Sequence, residues 1–269
     1  MSFIDHLEAL RWHIIRAVLF VLVSAIVFFV FIDFLFDQVI MGPTRNDFIS
    51  YRLLCNLSQS IGLGDSLCMP PMTMSLQITS VSGTFMSSIT IALVSSLVVG
   101  FPYLCWEVWR FVKPALKPHE LKHTRGLIFW VSLFFFIGAA FGYFVLAPFT
   151  FNFLANYKIG TAALLEYRPT LSDYLDTLID ITLGAGLAFE LPAASWVLSN
   201  MGLITPGFLR EYRKYAYVAL LVIAAIITPS PDWGSQLVVV LPLVMLYEIS
   251  ILISARVVRK QAKKWEEWS

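Results

Sequence analysis

Glu190 is a carboxylate set midway along the otherwise uncharged stretch from Ile181 to Leu198. About 20 apolar residues cross the hydrocarbon core of a bilayer. An ionised carboxylate at that depth costs roughly 3 kcal/mol or more unless water or a partner solvates it. Such a group is either a functional site or a packing hydrogen bond donated by a protonated acid. Pro192, two residues on, has no backbone N–H and frees a carbonyl near the same depth. The remaining candidates are thinner. His119-Glu120-Leu121-Lys122-His123 has the bare HExxH spacing of a zinc site. Pro114 and Pro118 crowd its start, however, and no third ligand is evident. There is no Gly-x-Ser-x-Gly elbow and no phosphate-binding Gly-Lys-Ser/Thr loop. Asp33, Asp180 and Asp232 stand near the ends of apolar stretches, not at depth as an intramembrane aspartic protease needs. No metal, no cofactor and no enzymatic activity are expected.

The elements that must position these residues are membrane spans. The chain is 58% hydrophobic, and only 14% of it is charged, against about 25% in soluble proteins. Its net charge of +1 gives nucleic acid no electrostatic footing. Asp5 and Glu8 break the basic start of a secretory signal, so the first apolar segment is expected to be retained as a span. Hydropathy places spans at about 14–36, 82–106, 126–147, 181–199, 215–228 and 233–252. The third is expected to stop at Pro148, and the fourth to start after the acidic segment from Asp173 to Asp180. The fifth has fourteen residues before the Pro229–Pro231 break, a rise of roughly 21 Å. Segments five and six therefore read as two short spans joined by a tight turn, or alternatively as a re-entrant hairpin. Residues 1–255 form one integral membrane domain, and 256–269 a basic, polar cytoplasmic tail.

Charge sets the orientation. With both termini inside, the inner segments hold Arg11, Arg16, Arg110, Lys113, Lys117, Lys122, Arg125, Arg210, Arg213, Lys214, Arg256, Arg259, Lys260, Lys263 and Lys264. The outer segments hold only Arg45, Arg52, Lys158 and Arg168. The positive-inside rule favours this arrangement and an even number of spans. Cys55 and Cys68 share the long outer segment between spans one and two. A bridge between them would contribute about 3 kcal/mol by loop closure.

The inner segments also carry a recognisable pattern. His6-Leu7-Glu8-Ala9-Leu10-Arg11 resembles the N-terminal His-Leu-x-Glu-Leu-Arg box of the TatC family, the multispanning subunit of the twin-arginine protein translocase. Val108-Trp109-Arg110-Phe111-Val112-Lys113-Pro114-Ala115-Leu116 through His119-Glu120 is similar to that family's first inner loop. Phe189-Glu190-Leu191-Pro192, the run from Thr228-Pro229 to Pro231-Asp232 with Ser235-Gln236, and Leu246-Tyr247-Glu248-Ile249 follow in the family's order. The family usually has Glu where Ala9 stands here. Glu8 lies one residue earlier, about 100° away around a helix, so the family role is not carried onto Ala9.

The resemblance implies an all-α polytopic protein of a bacterial cytoplasmic membrane. Its six helices form a concave wall with two short final helices and both termini inside. It implies recognition of twin-arginine signal peptides on folded cargo, with export driven by the proton gradient. Glu120, Glu8, Arg11, Phe111, His119 and Trp109 fall at the recognition site. Glu190 and Pro192 fall in the intramembrane groove, and Asp232, Gln236 and Glu248 at a contact with a partner subunit. The implied partners are single-span subunits of the TatA/TatB type, the signal peptides, membrane lipids and further copies in an oligomer, with no nucleic acid. The competing class is a proton-coupled secondary transporter that titrates Glu190.

Overall fold

The computed structural model describes residues 3–45, 48–60, 75–115, 126–156, 168–227 and 233–266, and these are helical almost throughout. In lipid, backbone groups have to satisfy each other within the segment, which a helix does. In chain order the helices are α1 (Phe3–Val30), α2 (Ile49–Ser60), α3 (Gly83–Val112), α4 (Leu127–Asn156, with a π turn at Gly142–Leu146), α5 (Leu171–Ala188), α6 (Leu191–Asn200), α7 (Pro206–Glu211), α8 (Arg213–Ile227) and α9 (Trp233–Glu266). Among the described residues, five stretches are long and apolar enough to cross a membrane: Glu8–Val30, Gly83–Val112, Leu127–Asn156, Leu171–Asn200 and Gln236–Lys260. The protein is an all-α polytopic membrane protein.

Side-chain contacts fix the helix directions. Ser96 on α3 donates to the Val21 carbonyl of α1 at 2.8 Å, and His13 of α1 meets Glu107 of α3, so the two run antiparallel. Gly138 and Gly142 of α4 face Ala185 and Ile181 of α5 in reverse order. Ser195 of α6 donates to the Ser250 carbonyl of α9 at 3.0 Å, and Ser199 pairs with Ser254 at 2.8 Å. That rising register makes α6 and α9 parallel, so α8 must return the chain across the bundle between them. α1 therefore starts, and α9 ends, at one end of the bundle, here called the basic end.

The opposite, cap end is held by tyrosines. After α1 the chain turns at Phe31 and passes through Ile32–Phe34, a π turn at Leu35–Ile40 and a tight turn at Gly42–Thr44. Helix ends leave carbonyls without donors. Tyr143 donates to Val39 at 2.5 Å, Tyr174 to Ile40 at 2.6 Å, and Tyr51 to Pro43 at 2.9 Å. Burial pushes the Tyr51 hydroxyl up to about 12, which keeps it a donor. Gln77 pairs through its backbone with Pro169 and Leu171. Thr170 then caps α5 by accepting from the Asp173 N–H at 3.1 Å.

Several expected boundaries move. α4 runs through Pro148 to Asn156, because the wide π turn ahead of the proline accommodates its ring and missing N–H. α5 starts at Leu171, and Asp173, Asp176 and Asp180 are helical and exposed, opposite buried Tyr174, Leu178 and Ile181. The fourth span breaks at Phe189–Glu190, where Pro192 opens α6. α9 continues through Pro242 to Glu266, so the basic residues from 256 prolong a helix and do not begin a separate tail. α8, at fifteen residues, is not among the five long stretches.

The tightest helix contact joins α4 and α5. A methyl on Gly142 would lie 2.7 Å from the Ile181 carbonyl, and one on Gly138 would lie 2.6 Å from that of Ala185. Small residues that admit such backbone approach are the main packing device in lipid. At Gly207 the nearest atom is 3.9 Å away. Alanine raises helix propensity by about 1 kcal/mol at either position. Gly142→Ala is nevertheless expected to lower the thermal midpoint in detergent, while Gly207→Ala leaves it level or raises it. Equal midpoints for the two variants would refute the close contact.

Candidate functional site

At the basic end, Glu107 lies on the inward face of α3 and is 2% exposed. Both carboxylate oxygens are engaged. His13 Nδ1 of α1 lies 2.5 Å from Oε2, and the Tyr103 hydroxyl donates to Oε1 at 3.1 Å. The Arg110 guanidinium is 3.8 Å away and also stands 5.6 Å over the Trp106 ring. The Phe111 ring meets His13 edge-on at 6.3 Å. A carboxylate so enclosed is tolerated only when its partners are in place. Sequence reading missed Glu107. The signal available was Tyr103 four residues before it and Arg110 three after, both on its own helical face.

Glu8 and Arg11 are exposed on α1, and Trp109 and Phe111 are half-buried at the end of α3. The structure thus gathers an exposed acid, aromatic surface and a buried carboxylate bonded to an imidazole at this mouth. His119 and Glu120 lie outside the described residues, as does the rest of the HExxH run. Among the described residues, no group of three metal-ligating side chains occurs.

At mid-depth, Phe135 of α4 stacks on Phe101 of α3 at 3.6 Å. A methyl on Gly186 would meet the same Phe135 ring at 2.8 Å. One helical turn toward the basic end from these three residues stand Cys105, Ser132 and Glu190. The Glu190 carboxylate lies against the Phe135 backbone, and its charge reaches Cys105. Its Oε1 is buried and has no hydrogen-bond partner among the described residues, and neither does Ser132 Oγ. Pro192 is buried beside it and leaves the Ala188 carbonyl without its usual donor. The acid therefore faces a three-helix junction with unmet polar capacity.

Where α7, α8 and α9 meet, Glu248 accepts from Arg213 at 2.5 Å and from Tyr217 at 2.6 Å. The Tyr247 hydroxyl donates to the Leu209 carbonyl at 2.8 Å. Glu248, expected at a partner-subunit contact, is half-buried and bonded to residues of α8. An acid at this depth is costly unless a cation offsets it, and α8 supplies one. Gln236 is half-buried and reaches the Leu221 carbonyl at 3.5 Å. Asp232 lies outside the described residues. Cys55 is disulfide-bonded, Cys105 is free, and Cys68 lies outside the described residues.

Comparison with known proteins places this arrangement. The family model described as "Sec-independent protein translocase protein (TatC)" matches residues 5–242. A relative of that name from Blattabacterium is 34% identical over 97% of this chain and 97% of its own. The Bacillus subtilis protein TatCy is 32% identical over 98% of this chain and 92% of its own. Among solved structures, the twin-arginine translocase receptor TatC in DDM superposes with a TM-score of 0.70 at 28% identity. That match covers 93% of this chain and 99% of that one.

A buried acid oxygen with no protein partner draws water where the site is polar enough to hold it. A polarity-sensitive probe at position 190 is expected to report water near mid-depth. A dry, lipid-like signal there would reduce Glu190 to a packing residue.

Proposed function

The chain belongs to the TatC family of Sec-independent protein translocases, and on that premise we propose that it is the signal-recognising core subunit of a twin-arginine system. It exports folded proteins across the inner membrane with energy from the proton gradient. Likeness to a receptor of this kind over nearly the whole chain is the observation that carries the reading. The protein is a transport component and not a catalyst. The solute-carrier alternative built on Glu190 is set aside, because the family match spans the segments on both sides of that residue.

The membrane holds six spans, with α8 as the short fifth and the basic end in the cytoplasm. The parallel run of α6 and α9 supports this count, since the chain has to cross back once between them and α8 is the helix that does so. The fifteen basic residues of the inner segments support the orientation, and they bind lipid phosphates. The helices form a concave wall in which Glu190 and Pro192 line the groove. Single-span subunits of the TatA/TatB type dock on that wall, with Gln236 and Asp232 near one contact, and several copies assemble.

Signal arginines are met by carboxylates at the inner mouth, since a guanidinium pairs best with a carboxylate fork. Glu120 is the principal acid, supported by Glu8, Arg11 and His119. Trp109 and Phe111 offer apolar surface to the signal's hydrophobic segment. Glu120→Gln is expected to weaken binding of a twin-arginine peptide by about tenfold or more and to stop export, with Glu8→Gln milder. In the same export assay, Glu190→Ala should insert normally yet transport poorly. Unchanged peptide affinity in Glu120→Gln would sink the recognition assignment.

Cys55 bonds Cys68 in the oxidising compartment. Alkylation of the intact protein is expected to modify Cys105 alone before reduction and all three cysteines after it. Three modified thiols without reductant would reject the bridge.

A further inference from the structure

Resting on the signal-recognition reading above, we propose that His13 and Glu107 are positioning residues that fix the rotation of α1, and so decide where the recognition residues Glu8 and Arg11 point. α1 is secured mainly by α3, through a narrow stripe. Its less exposed residues are Leu10, His13, Ala17, Phe20, Val21, Ser24, Ala25 and Phe28, at helical spacing. Trp12, Ile14, Ile15, Val18 and Leu19 between them are exposed.

Toward the cap end Phe29 of α1 meets Phe85 of α3 edge-on at 6.3 Å, and three further contacts index the pair midway. Ser96 bonds the Val21 carbonyl. Phe20 lies against Gly100, where a methyl would meet it at 2.7 Å, and packs on the Tyr103 ring at 4.4 Å. These three act at residues 20 and 21. Nearer the basic end, the polar tie from α1 to α3 is His13 to Glu107.

That tie is specific because Glu107 is buried. Tyr103 and Arg110 belong to its own helix and say nothing about α1. His13, 94 residues away in sequence, is the partner from another helix. Any rotation that withdraws His13 leaves a buried carboxylate short of a donor, which is strongly disfavoured. The angular consequence is direct. At about 100° per residue, Ala9 lies roughly 40° from His13 around the helix and Glu8 roughly 140°. Holding His13 against α3 turns Ala9 toward the helix pair and Glu8 outward. Glu8 is exposed and Ala9 half-buried, in agreement.

The test uses the full-length protein in nanodiscs, a synthetic twin-arginine signal peptide and its twin-lysine control. A photocrosslinking residue at position 8 reports which way that face points. Glu107→Gln keeps the shape and removes the charge. It is expected to lower peptide affinity by about tenfold and to move the position-8 crosslink off the peptide, with the thermal midpoint changed little. His13→Gln should behave in the same way, while His13→Arg, which places a strong donor beside Glu107, restores both affinity and crosslink. If Glu107→Gln does not fold, the His13→Gln and His13→Arg pair carries the test alone. Parental affinity and crosslinking in the Gln variants, with Glu120→Gln still defective, overturns the positioning role and leaves the recognition reading standing. Parental affinity in Glu120→Gln as well overturns the recognition reading itself. Loss of binding that His13→Arg does not restore also overturns the proposal, since it marks a general packing role.

Discussion

Where α4 crosses α5, the carbonyls of Ile181 and Ala185 lie so close to Gly142 and Gly138 that neither position has room for a methyl group. Lipid offers no hydrophobic drive to bring helices together, because the surrounding tails are as apolar as leucine. Close backbone approach supplies dispersion contact in its place. From this seam the remaining helices take their positions. Phe135, one turn along α4, fills the space that Gly186 leaves and stacks on Phe101 of α3. Gly184, on another face of α5, admits Ile227 of α8.

Polar groups then set register within this apolar frame. Ser195 and Ser199 lock α6 alongside α9 at fixed offsets, and Arg213 with Tyr217 neutralises Glu248 where α8 begins. Buried Glu107 and half-buried Glu190 are treated in opposite ways. Glu107 is saturated by donors from two helices, whereas Glu190 keeps an oxygen without a partner. A saturated carboxylate fixes geometry. An unsaturated one at mid-depth keeps the capacity to hold water or a further donor.

The two ends of the bundle divide the labour. At the cap end, three tyrosine hydroxyls and the Arg45 guanidinium donate to carbonyls left open after α1. The basic end carries exposed arginines, and there Glu8 and Arg11 stand on α1 and Trp109 and Phe111 at the end of α3. Rigidity at the first end and charged, accessible surface at the second follow from the same rule: dry backbone has to be capped, and wet backbone need not be.

The sequence by itself determined the membrane class and most of the long apolar helices, and it singled out Glu190, because hydropathy is a local sum and an acid inside an apolar run is visible without knowing its neighbours. It also determined the family, through motifs spread along the chain. The span end at Pro148 was misread, since whether a proline ends a helix depends on the turn before it and on packing that holds the helix straight. Glu107 drew no notice in the sequence, and Glu248 read as a partner contact. Only the tertiary structure brings His13 to one and Arg213 to the other, across 94 and 35 residues of chain. Burial and pairing of a charge are properties of the space between helices, and no local pattern records which distant residue will fill it.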